Sequence, residues 1–250
     1  MSRKKSRWAA ATSLAVASLV AACRESPQAN SNALAFNVFQ PAAMTGMTRV
    51  AGGAYFYQPS RWGTDAIPVC WEQGIPGELE KSWVRDAVTR SWQSNSHLRF
   101  VGWGTCAARA RGIHITVRDD ASTFGPHTLL GPRGWGLGKD LDGLLGGVVL
   151  NFTFHTWNPD CATPEANREQ CIRAIAVHEF GHAIGFAHEL NRADMPGECA
   201  EIRKVDDKAS PLTPWDPRST MNYCRPVADH GGRLSDMDAR SAQSAYPGRA

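Results

Sequence analysis

The sequence predicts an α+β fold in which strands and one amphipathic helix come first and a long second helix follows them. Three observations predict it. Runs rich in β-branched and aromatic residues fall at 67–71, 98–103, 113–117 and 148–154. Apolar residues recur at helical spacing over 78–93. A second helical stretch begins near Pro164 and is closed by Gly185.

Each element has its own reason. Ile67-Pro68-Val69-Cys70-Trp71 reads as the first strand, with Pro68 favouring an edge or a strand start. Leu79, Trp83, Ala87, Val88 and Trp92 line one side of a helix over 78–93, and that stripe reads as core. Strands at 98–103 and 113–117 follow. The Gly-, Pro- and Leu-rich stretch 125–147 reads as loop with room for one strand. In the strand at 148–154, Val148, Leu150, Phe152 and Phe154 point one way, and Val149, Asn151 and Thr153 the other. Thr163 is placed to cap the long helix and Pro164 to open its first turn. A last helix is expected over 235–245, capped by Ser235.

Length and charge narrow the function. The chain has 250 residues, enough for one well-cored domain with extensions. Its formal charge is +3, but Arg3, Lys4, Lys5 and Arg7 lie in a segment expected to be removed. Without those four, the 27 basic residues become 23 against 24 acidic ones. No basic tract remains that would read as a phosphate-binding surface, so no nucleic-acid partner is expected.

The basic start is followed by an apolar run too short to span a bilayer, ending Leu19-Val20-Ala21-Ala22-Cys23. This resembles the bacterial lipobox, which implies lipid attachment at Cys23. The expected organisation is a lipoprotein signal peptide over 1–22, a tether over 23–62 with a short ordered stretch at 55–57, and a globular domain over 63–250. A flexible tether of that length would reach roughly 35 Å. The expected location is the cell envelope, at the outer membrane if the cell is Gram-negative. Six further cysteines, Cys70, Cys106, Cys161, Cys171, Cys199 and Cys224, argue for disulfides in an exported chain.

The chemistry gathers in His178-Glu179-Phe180-Gly181-His182-Ala183-Ile184-Gly185-Phe186-Ala187-His188. Histidines four apart on a helix share a face and can bind one zinc ion. Glu179 lies beside them, placed to take a proton from a water that the metal acidifies. Gly185 lets the chain leave the helix so that His188 returns as a third ligand. Three protein ligands leave a fourth position open, the mark of a catalytic site.

On these residues the chain resembles the metzincin clan of zinc endopeptidases. His188-Glu189 is as in the astacin family, and Ser219-Thr220-Met221-Asn222-Tyr223 resembles the clan's Met-turn. The tail from Leu234-Ser235-Asp236-Met237-Asp238 to Tyr246-Pro247 is similar to the final helix of matrixins. The resemblance implies a twisted mixed sheet with two long helices above it and a small irregular lower subdomain. It implies a zinc metalloendopeptidase with Met221 as support beneath the metal. Tyr223 is implied as the oxyanion donor, and a peptide or protein as substrate along an exposed sheet edge. If 148–154 is the internal strand before the zinc helix, that edge lies within 125–137.

Cys199–Cys224 is expected to staple the lower part, Cys161–Cys171 to fix the start of the zinc helix, and Cys70–Cys106 to tie the first strand to the sheet. Matrixins hold structural Ca2+ with loops comparable to those of Asp119, Asp120, Asp140 and Asp142; a solvated loop is the favoured reading here. His97, His114, His127, His155 and His230 read as ordinary surface or core histidines, with His155 a candidate for the cleft wall. A monomer is expected. Two rival functions are a zinc-binding surface lipoprotein without turnover and a zinc hydrolase of cell-wall or other non-protein amides. An intact Glu179 and Tyr223 argue against the first, since neither is needed merely to hold a metal.

Overall fold

The strand-forming runs meet in one mixed sheet of five strands. The computed structural model describes residues 47–49, 54–119, 126–128, 137–189, 215–222, 224 and 226–248. In chain order the strands are β1 (Met47–Arg49), β2 (Tyr55–Tyr57), β3 (Ala66–Trp71), β4 (Arg99–Thr105), β5 (Ile113–Val117), β6 (His127–Thr128) and β7 (Val148–Leu150). The α-helices are α1 (Glu78–Val88), α2 (Glu165–Ala183) and α3 (Asp236–Ala245). β1 and β2 form an antiparallel ribbon of their own. The main sheet has the order β4-β3-β5-β7-β6. All its pairings are parallel except β6 with β7. Parallel neighbours need a crossover, and α1 supplies the one between β3 and β4. Among the described strands β7 is therefore internal and β6 comes last on its side, inside the window expected for the edge.

α1 runs on into a π-helical turn, Thr89–Gln93, so the predicted helix is continuous over its expected length. Trp83, Ala87, Val88 and Trp92 are buried as expected, whereas Leu79 is 52% exposed. Leu79 lies in the first turn, ahead of the point where Arg173 of α2 meets the Trp83 carbonyl. In α2, every residue from Cys171 to Ala183 except Arg173 is buried. A helix buried on nearly every side belongs inside a core, and here the buried set includes His178, Glu179 and His182. Phe180 stacks on Trp103 and meets Phe100 edge-on, and Trp92 donates its indole N–H to the Val177 carbonyl at 2.6 Å.

Two expected boundaries move. Pro164, extended at ψ 173, takes the flanking position of α2 and displaces Thr163 from the cap. β7 stops at Leu150 instead of running to 154. The Asn151 side chain accepts from the backbone N–H of Thr153 and Phe154, and this local turn competes with strand pairing. Phe152 and Phe154 are buried all the same. At α3 the expected cap is present: Ser235 accepts from Asp238 N, and the Asp238 carboxylate accepts from Ser235 N.

Disulfides join Cys70 to Cys106 and Cys161 to Cys171. The first ties β3 to the end of β4, and the second holds the start of α2. Cys224 is disulfide-bonded; its expected partner Cys199 lies outside the described residues.

The ordered stretch expected at 55–57 is β2. Ala54, Phe56, Ser60 and Trp62 are buried with it. These residues pack around the exit of α2. Tyr57 N donates to the Gly185 carbonyl at 2.9 Å, and the Trp62 indole to the Ala183 carbonyl at 2.8 Å. From the other end of the chain, Tyr246 donates its hydroxyl to the Ile184 carbonyl at 2.6 Å.

Candidate active site

Helical periodicity sets His178 and His182 one turn apart on α2. The chain leaves the helix through Gly185 at φ 106, and Phe186 N returns to the Gly181 carbonyl at 2.9 Å. That turn brings back His188. Its Nε2 lies 3.2 Å from Nε2 of His178 and 2.8 Å from Nε2 of His182. Two of the rings are oriented from behind. His178 donates from Nδ1 to the Thr220 carbonyl at 2.6 Å, and His182 from Nδ1 to the Phe186 carbonyl at 2.7 Å. Carbonyls only accept, so the proton is on Nδ1 and each Nε2 lone pair faces inward.

Burial, and then the neighbouring imidazoles, hold His178 and His188 well below the ordinary histidine value. Burial brings His182 down to about 4. The rings are thus neutral, with nitrogen lone pairs converging on one point. Three imidazole nitrogens so placed could hold one metal ion. Among the described residues, one other cluster could offer ligand atoms: Cys70, Cys106 and His114. There the two sulfurs are already bonded to each other, and His114 is a buried histidine held by Glu72 and the Ala110 carbonyl.

Met221 lies under the helix between the two histidines. A Cβ added at Gly181 would stand 2.3 Å from Met221 Sδ and 2.9 Å from the Trp92 ring, so glycine is required for this approach. The turn that carries Met221 is itself held by the last helix. Asp238 accepts from Thr220 N at 2.8 Å and from the Ser219 hydroxyl at 2.7 Å. Burial raises Asp238 to about 6, against these hydrogen bonds. A line of contacts therefore runs from α3 through Thr220 to His178. Sequence reasoning missed it because its members are far apart in the chain.

Glu179 is 2% exposed and, by burial, has its carboxyl pushed up to about 8. Thr128 of β6 donates its hydroxyl to Glu179 Oε2 at 2.7 Å. No local signal marks Thr128, which lies in a short strand within a Gly-rich stretch. Tyr223, Cys23 and Asp120 lie outside the described residues. The other loop carboxylates have protein donors: Asp140 accepts from Ser60, and Asp142 from Arg111 and Gly112 N. Asp119 gathers the turn after β7. Asn151, Thr153 and the backbone N–H of His155, Thr156 and Trp157 all donate to it. The side chain of His155 is exposed.

No family model matches the chain, and no curated protein matches it. Among solved structures the chain is similar to myroilysin, at a TM-score of 0.52 and 15% identity, over 78% of this chain and 99% of that one. A second structure of myroilysin gives 0.44 at 15% identity, over 81% and 95% of the two chains. High choriolytic enzyme 1, a hatching-enzyme zinc protease of the medaka fish Oryzias latipes, gives 0.47 at 18% identity, over 77% and 96%. At such identity the likeness concerns fold. The chain has the α+β fold of myroilysin, and on that frame three of its own histidines converge, two of them from the helix that carries the buried Glu179.

Proposed function

We propose that the chain is a zinc-dependent endopeptidase. The observation that carries this is the convergence of three neutral imidazole Nε2 atoms, two of them on the helix that also carries the buried Glu179. Three nitrogens of this kind suit zinc and leave a ligand position open. His178, His182 and His188 would hold the ion, and Met221 packs against α2 at Gly181. Bound zinc supplies a Lewis acid that polarises the scissile carbonyl and acidifies water.

The protein does the rest. Glu179 accepts the proton of the attacking water and delivers it to the departing amine. Tyr223 follows Met221 by two residues, and its phenol donates to the developing oxyanion. The substrate lies extended along β6, which has β7 as its sheet partner on one side. The signal-like start and Cys23 support export and lipid anchoring at the cell envelope, with the residues between Cys23 and β1 as spacer.

One set of variants tests the reading on a peptide library, with and without chelator. Glu179→Gln should retain stoichiometric zinc and lose about 10²–10⁴-fold in kcat. Tyr223→Phe should lose about 10²–10³-fold in kcat and kcat/KM together, the pattern of an interaction made only in the transition state. His182→Ala should lose the metal itself. Normal turnover in Glu179→Gln, or full zinc content in His182→Ala, would refute the assignment.

A further inference from the structure

We infer that Thr128 is a positioning residue for Glu179, so that the sheet edge which receives the substrate also aims the base. This deepens the peptidase reading and rests on it. β6 is only two residues long, and its backbone is fixed by antiparallel pairing of His127 with Val149 and Thr128 with Val148. From that strand the Thr128 hydroxyl reaches across 51 residues of sequence to Glu179 Oε2 at 2.7 Å. The same hydroxyl lies 3.2 Å from the Glu179 carbonyl oxygen. A hydroxyl has one proton to give, and the nearer, more basic carboxylate oxygen takes it.

The consequence concerns geometry. A glutamate side chain has several freely rotating bonds, and a base that wanders by about 1 Å can lose about 10²-fold in rate. α2 fixes the Cα of Glu179, and Thr128 fixes the far end, leaving Oε1 to meet the proton. The contact is also placed to report occupancy. A peptide held along β6 lies against the residue that holds the carboxylate. Substrate alignment and base alignment are therefore two results of one strand's position. Binding of the peptide itself runs through the β6 backbone, so the hydroxyl should act on kcat and hardly on KM.

The test compares Thr128→Val, which keeps the β-branched shape but removes the hydroxyl, with Thr128→Ser, which keeps the hydroxyl. Full-length, zinc-loaded protein is used throughout. Thr128→Val should lower kcat by about 10–10²-fold with KM nearly unchanged, and Thr128→Ser should restore most of it. In a Glu179→Gln background, Thr128→Val should cost nothing further, because it acts through Glu179. Crystal structures of the wild type and both variants give a readout independent of turnover. The Glu179 carboxylate should leave its wild-type position in the valine variant and keep it in the serine variant. Should the valine variant fail to fold, Thr128→Ala takes its place. An unchanged kcat, a loss that persists without Glu179, or a carboxylate that stays in place without the hydroxyl would overturn the inference. A wild type that cleaves no peptide would instead sink the peptidase reading, and the carboxylate position would then decide on Thr128 alone.

Discussion

Asp119 is exposed enough to meet solvent, yet it organises the whole turn that follows β7. Its burial works to raise its pKa, but the donors of Thr153, Asn151, His155 and Thr156 outweigh that and bring it from 3.8 to about 2. A carboxylate depressed in the folded state contributes stability above its ordinary pKa and loses it as pH falls through the folded value. The window therefore runs from 3.8 down to about 2. Asp119→Asn should be less stable than the wild type at neutral pH, and the gap should shrink across that window. Urea unfolding measured at several pH values checks this; a gap independent of pH would show that the charge is irrelevant. At this scale the sequence was informative where chemistry follows a local period. His178 and His182 share a helix face, and Gly185 marks the helix exit. Thr128 and Asp238 were hidden, because each reaches the site through a tertiary contact with no local pattern.

At the scale of elements, the turn between His182 and His188 is held from outside by β2. Gly185 has φ +106, and a Cβ there would stand 2.8 Å from the Phe56 ring. Phe56 bridges to Phe186 and packs against its ring at 5.2 Å. Gly185→Ala therefore meets both backbone strain and a ring that is itself fully buried. We expect a loss of about 1–3 kcal/mol with weaker zinc retention, because the strained turn carries His188. Denaturant unfolding and zinc release to a chelator measure the two effects; stability loss with unchanged metal affinity would separate the turn from the centre. Element identity was readable from periodicity in β3, α1, β4 and β5. The end of β7 was not, because alternation continues through 154 while the Asn151 side chain has already diverted the backbone. The packing of β2 was also hidden: Tyr55-Phe56-Tyr57 is apolar enough for a strand, but only the fold shows that Phe56 closes over Gly185.

Across the whole molecule, the two ends of the described fold meet. Arg61 donates from Nε to the Ala245 carbonyl at 2.7 Å, and its guanidinium lies over the Tyr246 ring. Ala54 N donates to Ser241 of α3. The sheet order β4-β3-β5-β7-β6 was not legible, since strand runs alone do not specify which neighbours pair; the family resemblance implied only that the strand before the long helix is internal. The proposed tether attaches on the side of this closure, at β1 and β2. Replacement Cys23→Ser should move the protein from the detergent phase to the aqueous phase on phase partitioning of whole cells, with peptidase activity intact. Retention of Cys23→Ser in the detergent phase would rule out lipidation at that residue.

The support given by Asp238 has a consequence in time. His178 is oriented by Thr220, and Thr220 is held by a carboxylate of the last helix. A chain delivered N-terminus first presents its histidines early, yet Asp238 follows His188 by 50 residues. The nascent molecule can own every metal ligand and still lack the group that braces the turn behind them. Completion of the centre is thereby tied to completion of the chain.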